Sequence, residues 1–235
     1  LFGGSTEVRY QPKGVIGIAG TWNASLFTVF APLAGVLAAG NRAMIKPSDL
    51  SPHMGEWLQK RVPEYFDPME VGLVTGGMDV SQAFTTLPFD HLVYTGGGSI
   101  AKHIMRAAAE NLVPLTLELG GKSPTIFGVS ADLDKAMYSL VTGKAQNNGQ
   151  ICVSPDTIYV HESKLEEFVK RFKAIYAEVY GTGAVTNNAS LTPAITERHL
   201  HRVENYIQDA QAKGARVEWM AEDAPLDLQN RRRPM

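Results

Sequence analysis

Cysteine is almost missing from this chain: 235 residues hold one, Cys152. That excludes an intrachain disulfide and leads us to expect a reducing, cytoplasmic setting. Neither sign of charge is in excess, because 22 Lys and Arg stand against 24 Asp and Glu for a formal charge of -2. Such a balance offers no field to gather nucleic acid or an anionic membrane, so no nucleic-acid partner is expected and a small molecule is the better candidate. No run reaches the roughly 20 uninterrupted apolar residues of a membrane span. The longest apolar segment, Leu26 to Ala39, is broken by Thr28, Pro32 and Gly35. Repeats and low-complexity tracts are missing too, and the opening Leu-Phe-Gly-Gly-Ser has neither an initiator Met nor the basic flank of a signal peptide, so it reads as an internal cut.

What is present is a chain 44% hydrophobic, enough for a real core. From Lys13 to about Glu118, short β-rich runs alternate with helical patterns at the spacing of βαβ units. Strands are expected at Gly14–Ala19, Ala43–Lys46, Val71–Val74, His91–Tyr94 and Pro114–Leu119. Helices are expected from about Leu26 to a stop at Gly40, from Ser51 as N-cap with Pro52 in its first turn to about Tyr65, and from about Ser99 to Asn111. The expected fold class is α/β, a doubly wound parallel sheet followed by the first part of a second α/β domain. After Gly121 the pattern starts afresh, with a strand at Thr125–Phe127, a helix over about Leu133–Gln146, a strand at Thr157–His161, amphipathic helices near Lys164–Tyr180 and Pro193–Lys213, and a strand-like Arg216–Met220. We therefore expect domains at 1–120 and 121–235, and a cut or a disordered tail at Asn230–Met235.

Cys152 follows Asn147-Asn148-Gly149, a helix-ending sequence, and precedes Ser154-Pro155. It is expected on a turn that can present a thiol to a cleft, although a buried hydrophobic role is open to any such cysteine. Glu118 ends the otherwise apolar strand Leu115–Leu119, where a carboxylate is costly to desolvate unless paired or raised in pKa, and a raised pKa suits a general base. The alternative is a solvent-facing glutamate on an edge strand. Asn23, in Gly20-Thr21-Trp22-Asn23, stands at the carboxyl end of the first strand, where its amide can donate to an oxyanion or merely cap a helix or turn. Lys46-Pro47-Ser48-Asp49 can bracket a ribose diol or form a solvated loop. Thr95-Gly96-Gly97-Gly98, between a strand and a helix, offers amides to a pyrophosphate. It is not a G-x-G-x-x-G fingerprint, because Ala101 stands at the third glycine's place.

The segments Gly20–Asn23, Lys46-Pro-Ser-Asp-Leu-Ser, Phe89-Asp-His-Leu-Val-Tyr-Thr-Gly, Leu117-Glu-Leu-Gly-Gly-Lys-Ser-Pro124 and Asn148-Gly-Gln-Ile-Cys-Val-Ser-Pro-Asp156 occur in the order and at the spacing of the aldehyde dehydrogenase superfamily. The chain resembles that family from Val8 to about Lys213, and its wording is most similar to the class 3 branch and the relatives that include coniferyl aldehyde dehydrogenase. The resemblance implies Cys152 as nucleophile, Asn23 with the Cys152 amide as oxyanion holder, and Glu118 as the base that activates water. It implies NAD or NADP as cofactor, held by Gly20, Thr21, Trp22, Lys46, Ser48, Asp49, Thr95, Gly96, Gly97, Leu119 and Gly120, with an aldehyde as the small-molecule substrate and a homo-oligomeric parent. The first domain is then an NAD(P)-binding Rossmann-like domain, incomplete at its N-terminus, and the second a thiol domain incomplete at its C-terminus. Departures from the family pattern are Asp49 for a glutamate, Gly97 for a serine, Ala101 for a glycine, and the lack of a Glu-x-Phe-Gly-Pro motif. An acylating relative and a non-catalytic binding or assembly module remain as other readings. A dedicated hydrolytic base argues against the former, and the missing motif favours the latter.

His199 and His201 lie near carboxylates, but two residues apart on a helix they point about 200° from one another, so no metal site is expected. Arg231–Arg233 reads as a solvated terminus. Trp22 and Phe27 could line an aldehyde tunnel or pack the core.

Overall fold

The computed structural model describes residues 3–181 and 192–220. The chain divides into two compact units, Leu1–Gly120 and Gly121–Met235.

The first unit is a five-stranded sheet, β1 (Val15–Ala19), β2 (Arg42–Lys46), β3 (Val71–Leu73), β4 (His91–Gly96) and β5 (Leu115–Leu119), in the order β3-β2-β1-β4-β5. Every pairing is parallel, with Ile18 opposite Ile45 and Val93, and Leu92 opposite Leu115. The β1 run Ile16-Gly17-Ile18 is buried residue after residue, as expected of a central parallel strand covered on both faces. One face sends Ile16, Ile18 and Ile45 against Val29 and Leu33 of α1 (Phe27–Ala38) and Leu58 of α2 (Pro52–Arg61). Alternate residues Ala19 and Met44 turn to the other face, where Leu92 packs with Phe84 of α3 (Met78–Thr85) and with Ala101, Ile104 and Ala108 of α4 (Gly98–Glu110). Each such large side chain withdrawn from water contributes roughly 2 kcal/mol.

The second unit pairs β6 (Thr125–Phe127) in parallel with β7 (Ile158–Val160). It packs Phe127 against Leu133, Met137, Leu140 and Val141 of α5 (Leu133–Ala145) and Phe168 of α6 (Leu165–Tyr180). The spacing of the α5 residues puts them on one helical stripe. Asp132 caps α5 by accepting from Asp134 and Lys135 N–H, and Thr196 caps α7 (Glu197–Ala212) through His199 N–H.

Several local expectations are corrected. The short helix α3, which starts at Met78 after an N-cap at Gly77 and buries only Phe84, escaped the sequence pattern. The helix begun by Pro52 ends at Arg61 and gives way to a 3-10 turn at Val62–Glu64. Ser51 stands at the N-cap position but makes no side-chain cap hydrogen bond; its hydroxyl donates to the Ser48 carbonyl at 3.4 Å. The last helix starts at Glu197, not Pro193. Residues 216–220 form no strand, and their charged side chains pair instead, Arg216 with Glu166 at 2.8 Å and Glu218 with Lys173 at 2.6 Å. The expected tail at Asn230–Met235, with its arginine run, lies outside the described residues.

Candidate active site

A parallel sheet delivers all its carboxyl ends to one edge, and here the order of strands reverses between β1 and β4, where open α/β sheets leave a crevice for ligands. At the end of β1, Gly20 N–H donates to the Lys46 carbonyl at 3.0 Å. Thr28, 9% exposed at the start of α1, then accepts from Thr21 N–H at 3.1 Å and donates to the Ala24 carbonyl at 3.1 Å. Ser25 Oγ donates to the Trp22 carbonyl at 2.9 Å. These bonds fold the segment into a turn that carries Asn23, half-buried; the cap position of α1 belongs to Leu26. Trp22 is also half-buried, whereas Phe27 is 74% exposed and takes no part in the core.

Lys46 closes β2 and is 4% exposed, its Nζ donating to the Pro47 carbonyl at 2.8 Å. Burial pushes its ammonium pKa below the ordinary lysine value, and the nearby charge of Asp49 pushes it back up. A solvated loop is thus excluded for the lysine, although Asp49 itself is exposed. Ser48 Oγ accepts from Leu50 N–H at 3.2 Å and shapes the turn between them.

Thr95 and Gly96 end β4, and Gly97 is the N-cap residue of α4, which has no side-chain cap. A Cβ at Gly96 would run into the hydroxyl of Tyr94, which is 8% exposed and donates to the Gly97 carbonyl at 3.4 Å. A Cβ at Gly97 or Gly98 would meet nothing within 4 Å. The turn is therefore an open cradle at a helix N-terminus, with a wall on one side only. Ala101, at 2% exposure, packs in the core.

Across the ladder Thr95 pairs with Glu118, and Gly96 with Leu119. β5 is an edge strand of the sheet and the Glu118 side chain is exposed. The flanking leucines do not bury it, so of the two readings the sequence left open the structure has the solvent-facing one. Asn23, Lys46, Thr95–Gly98 and Glu118–Gly120 are thus brought to one edge of one sheet.

Cys152 belongs to the second unit. α5 runs into Asn147, Asn148 and Gly149, three consecutive residues with φ of 47°, 55° and 72°. Asparagine and glycine are the residues that tolerate the left-handed region, which is why the chain can turn this sharply here. Cys152 follows, half-buried, in a turn closed by Ser154 N–H donating to the Ile151 carbonyl at 3.1 Å. Ser123 Oγ donates to the Cys152 carbonyl at 3.4 Å. Beyond it, Asp156 meets Lys122 at 3.0 Å and Lys144 at 3.5 Å. Burial raises the Asp156 pKa, but the Lys122 hydrogen bond and the two lysine charges outweigh it and hold the carboxyl below the ordinary aspartate value.

Thr28, Ser123, Gln150 and the Lys122–Asp156–Lys144 cluster were not singled out by sequence reasoning. Ser123, Gln150 and Asp156 all stand inside the motifs around Glu118 and Cys152, so the signal lay in residues read only as neighbours. His199 and His201 lie on α7, where Thr196 Oγ1 is 2.6 Å from His199 Nδ1 and Glu204 is 3.5 Å from His201 Nδ1. Burial, and then the charges of Arg202 and Arg198, lower the His199 pKa. Among the described residues no three His, Cys, Asp or Glu gather as a metal site, and no helix is long and apolar enough to cross a membrane.

Comparison with known proteins gives these features a class. The family model for the aldehyde dehydrogenase family matches residues 3–231. The chain belongs to the aldehyde dehydrogenase family. It is 49% identical over 217 residues to a probable coniferyl aldehyde dehydrogenase of Caulobacter vibrioides, covering 92% of this chain and 44% of that one. It is 46% identical over 215 residues to the coniferyl aldehyde dehydrogenase of a Pseudomonas species, again 92% and 44%. Among solved structures, aldehyde dehydrogenase of Mycobacterium tuberculosis complexed with NAD+ superposes with a TM-score of 0.80 at 32% identity, covering 93% of this chain and 46% of that one. The chain thus spans less than half the length of these relatives.

Proposed function

We propose that this chain carries the nucleotide-binding edge and the nucleophile of an enzyme that oxidises an aldehyde to a carboxylic acid with NAD or NADP. The relatives' names point to an aromatic aldehyde of the coniferyl type, with a medium-chain aldehyde as the broader class. The observation that carries the reading is the Cys152 turn, in which three left-handed residues present a thiol within a motif of the family to which the chain belongs.

The residues present fit a dinucleotide. Gly97 and Gly98 leave open the space that a Cβ would fill, at the N-terminus of the 13-residue helix α4, where amides and dipole favour phosphate. Lys46, Ser48 and Asp49 would hold the adenosine ribose, and Gly20, Thr21, Trp22, Thr95, Gly96, Leu119 and Gly120 would complete the edge. Asp49 is one methylene shorter than the family's glutamate, which weakens the ribose grip and leaves room for either nucleotide.

In the proposed chemistry Cys152 Sγ, as thiolate, bonds to the aldehyde carbon and the carbonyl electron pair moves to oxygen, giving a thiohemiacetal. The Asn23 amide and the Cys152 N–H hold that oxyanion. The nicotinamide, when bound, supplies the hydride acceptor through which a thioester is reached. Glu118 then takes a proton from water, hydroxide adds to the thioester carbon, and the Cys152 thiolate leaves as the acid forms. A solvent-facing Glu118 has ready access to water.

The test is Cys152→Ala in a chain of the relatives' full length that carries this sequence. Turnover should fall by at least about 1,000-fold while nucleotide affinity stays within about twofold. Retained turnover would remove Cys152 from the mechanism. Nucleotide binding without turnover by the 235-residue chain itself would favour a binding or assembly module for this chain.

A further inference from the structure

We infer that Gln150 is a positioning residue for Cys152: its side-chain amide clamps the nucleophile's turn to the backbone of residues 193–195, ahead of α7. The inference rests on the proposed role of Cys152.

The turn needs an external hold. Asparagine tolerates the left-handed region as a single residue, but Asn147 and Asn148 occupy it in succession and run on into Gly149, so the turn gains from interactions outside its own backbone. Gln150 supplies those interactions in two directions. Inward, Nε2 donates to the Asn147 carbonyl at 3.0 Å, the same carbonyl that accepts from Gln150 N–H at 3.1 Å, and Asn147 Nδ2 donates back to the Gln150 carbonyl at 3.3 Å. Outward, Nε2 donates to the Pro193 carbonyl at 3.1 Å, and Oε1 accepts from Ile195 N–H at 3.0 Å. Ala194, between those two residues, is 2% exposed, and Thr196, the next residue after Ile195, caps α7. The clamp is therefore fastened to a buried segment and to the start of a 16-residue helix.

Only a planar amide at this reach does all of this. Both amide hydrogens are engaged with carbonyls and the oxygen with an N–H. Asparagine is one methylene short. Glutamate has the reach, but ionised it offers no hydrogen and sets a negative charge against the Asn147 and Pro193 carbonyls. When protonated it regains one donor. The backbone held by Gln150 leads through Ile151 to Cys152, so the clamp decides how narrowly the thiol and the proposed oxyanion N–H are aimed.

The chain has one cysteine, so alkylation by iodoacetamide reads a single site without needing turnover. In the chain as it stands, Gln150→Ala and Gln150→Asn should alkylate at least about tenfold faster than wild type, because a half-buried thiol is exposed by loosening its turn. The ratio to wild type should be flat with pH for Gln150→Ala. For Gln150→Glu it should fall toward one as pH drops from about 7 to about 4 and the carboxyl gains its proton around the ordinary glutamate value of about 4.3. Taking the ratio removes the thiol's own titration. A lowered melting temperature with an alkylation ratio of one would reduce Gln150 to a stabilising residue and overturn the inference. Should Gln150→Ala fail to fold, the Gln150→Glu profile decides, and a flat ratio overturns the clamp. In a chain of the relatives' full length that carries this sequence, Gln150→Ala should lower kcat at least about tenfold with the KM for nucleotide within about twofold. If alkylated wild type keeps its turnover, the nucleophile reading fails and not the clamp. If alkylation abolishes turnover but Gln150→Ala leaves kcat intact, the clamp fails and the nucleophile stands.

Discussion

The two turns that matter most are built on opposite plans. At Thr95–Gly98 the backbone is extended up to Gly97 and enters helix α4 at Gly98, its glycines have φ of ordinary sign, and the space beside Gly97 and Gly98 is open. At Asn147–Cys152 the backbone is left-handed for three residues and fastened by Ser123 and Gln150 side chains. The first turn is suited to receive a ligand with its backbone, so emptiness is what it needs. The second has to present one side chain, so it is braced. A substitution that fills the first should harm binding without harming the fold, and one that relaxes the second should cost stability first.

The largest effect expected from that contrast is at Gly97. Its φ of -77° and ψ of 140° suit a valine and a Cβ there touches nothing, so Gly97→Val should lose only the roughly 1 kcal/mol of a poorer helix cap, melting no more than about 4 °C below wild type, yet bind nucleotide about a hundredfold more weakly. Equilibrium titration beside a melting curve checks both halves, and a variant that binds normally would remove the cradle from the nucleotide site. Next is Gly149→Ala, which should destabilise by about 1–2 kcal/mol, since φ of 72° penalises a side chain and the new Cβ would lie 3.3 Å from the Lys144 carbonyl oxygen. Denaturant unfolding measures it, and a neutral result would show that the turn relaxes freely.

Smaller and opposite in sign is Ser154→Ala. Ser154 is 6% exposed and its hydroxyl has no hydrogen-bond partner among the described residues, so its removal should stabilise by up to about 1 kcal/mol. A loss of stability would reveal a partner for the hydroxyl. Smallest is the acid response of Asp156. Its pKa is lower folded than unfolded, so the ionised carboxylate favours the fold above the unfolded value of about 3.9, and that contribution drains away as pH falls through the folded value. Melting curves of wild type and Asp156→Asn should differ at neutral pH and converge in acid. A gap that persists in acid would assign the effect to packing.

The alternation of β1 to β5 with helices was legible because each strand is a short apolar run ended by a turn signal, and the strand ends marked the carboxyl edge at Asn23, Lys46 and Gly96. Lys46 could be placed there, but not as a buried group, because its burial comes from the packing around β2 and Pro47. For Glu118 the sequence left a desolvated and a solvent-facing carboxylate equally open. The flanking leucines share one face of the strand and Glu118 lies on the other, and only the sheet order shows that β5 is an edge. α3 was missed because eight residues with one buried aromatic carry too little period. Residues 216–220 misled because apolar alternation between Arg216 and Glu218 looks like a strand, whereas ion pairs to α6 use those charges. Gln150 was visible as a letter but not as a clamp, since its partners at 193 and 195 lie more than forty positions away.

Rapid-mixing reduction of NAD and of NADP by a coniferyl-type aldehyde, followed by the absorbance of the reduced nicotinamide, tests the central claim most directly. It should be run on a chain of the relatives' full length that carries this sequence and on its Glu118→Gln variant. The account predicts a burst of about one equivalent per chain that stalls in Glu118→Gln, with the acyl group recovered on Cys152 by mass spectrometry. Steady reduction in both proteins, with no burst and no acyl group on Cys152, would contradict it.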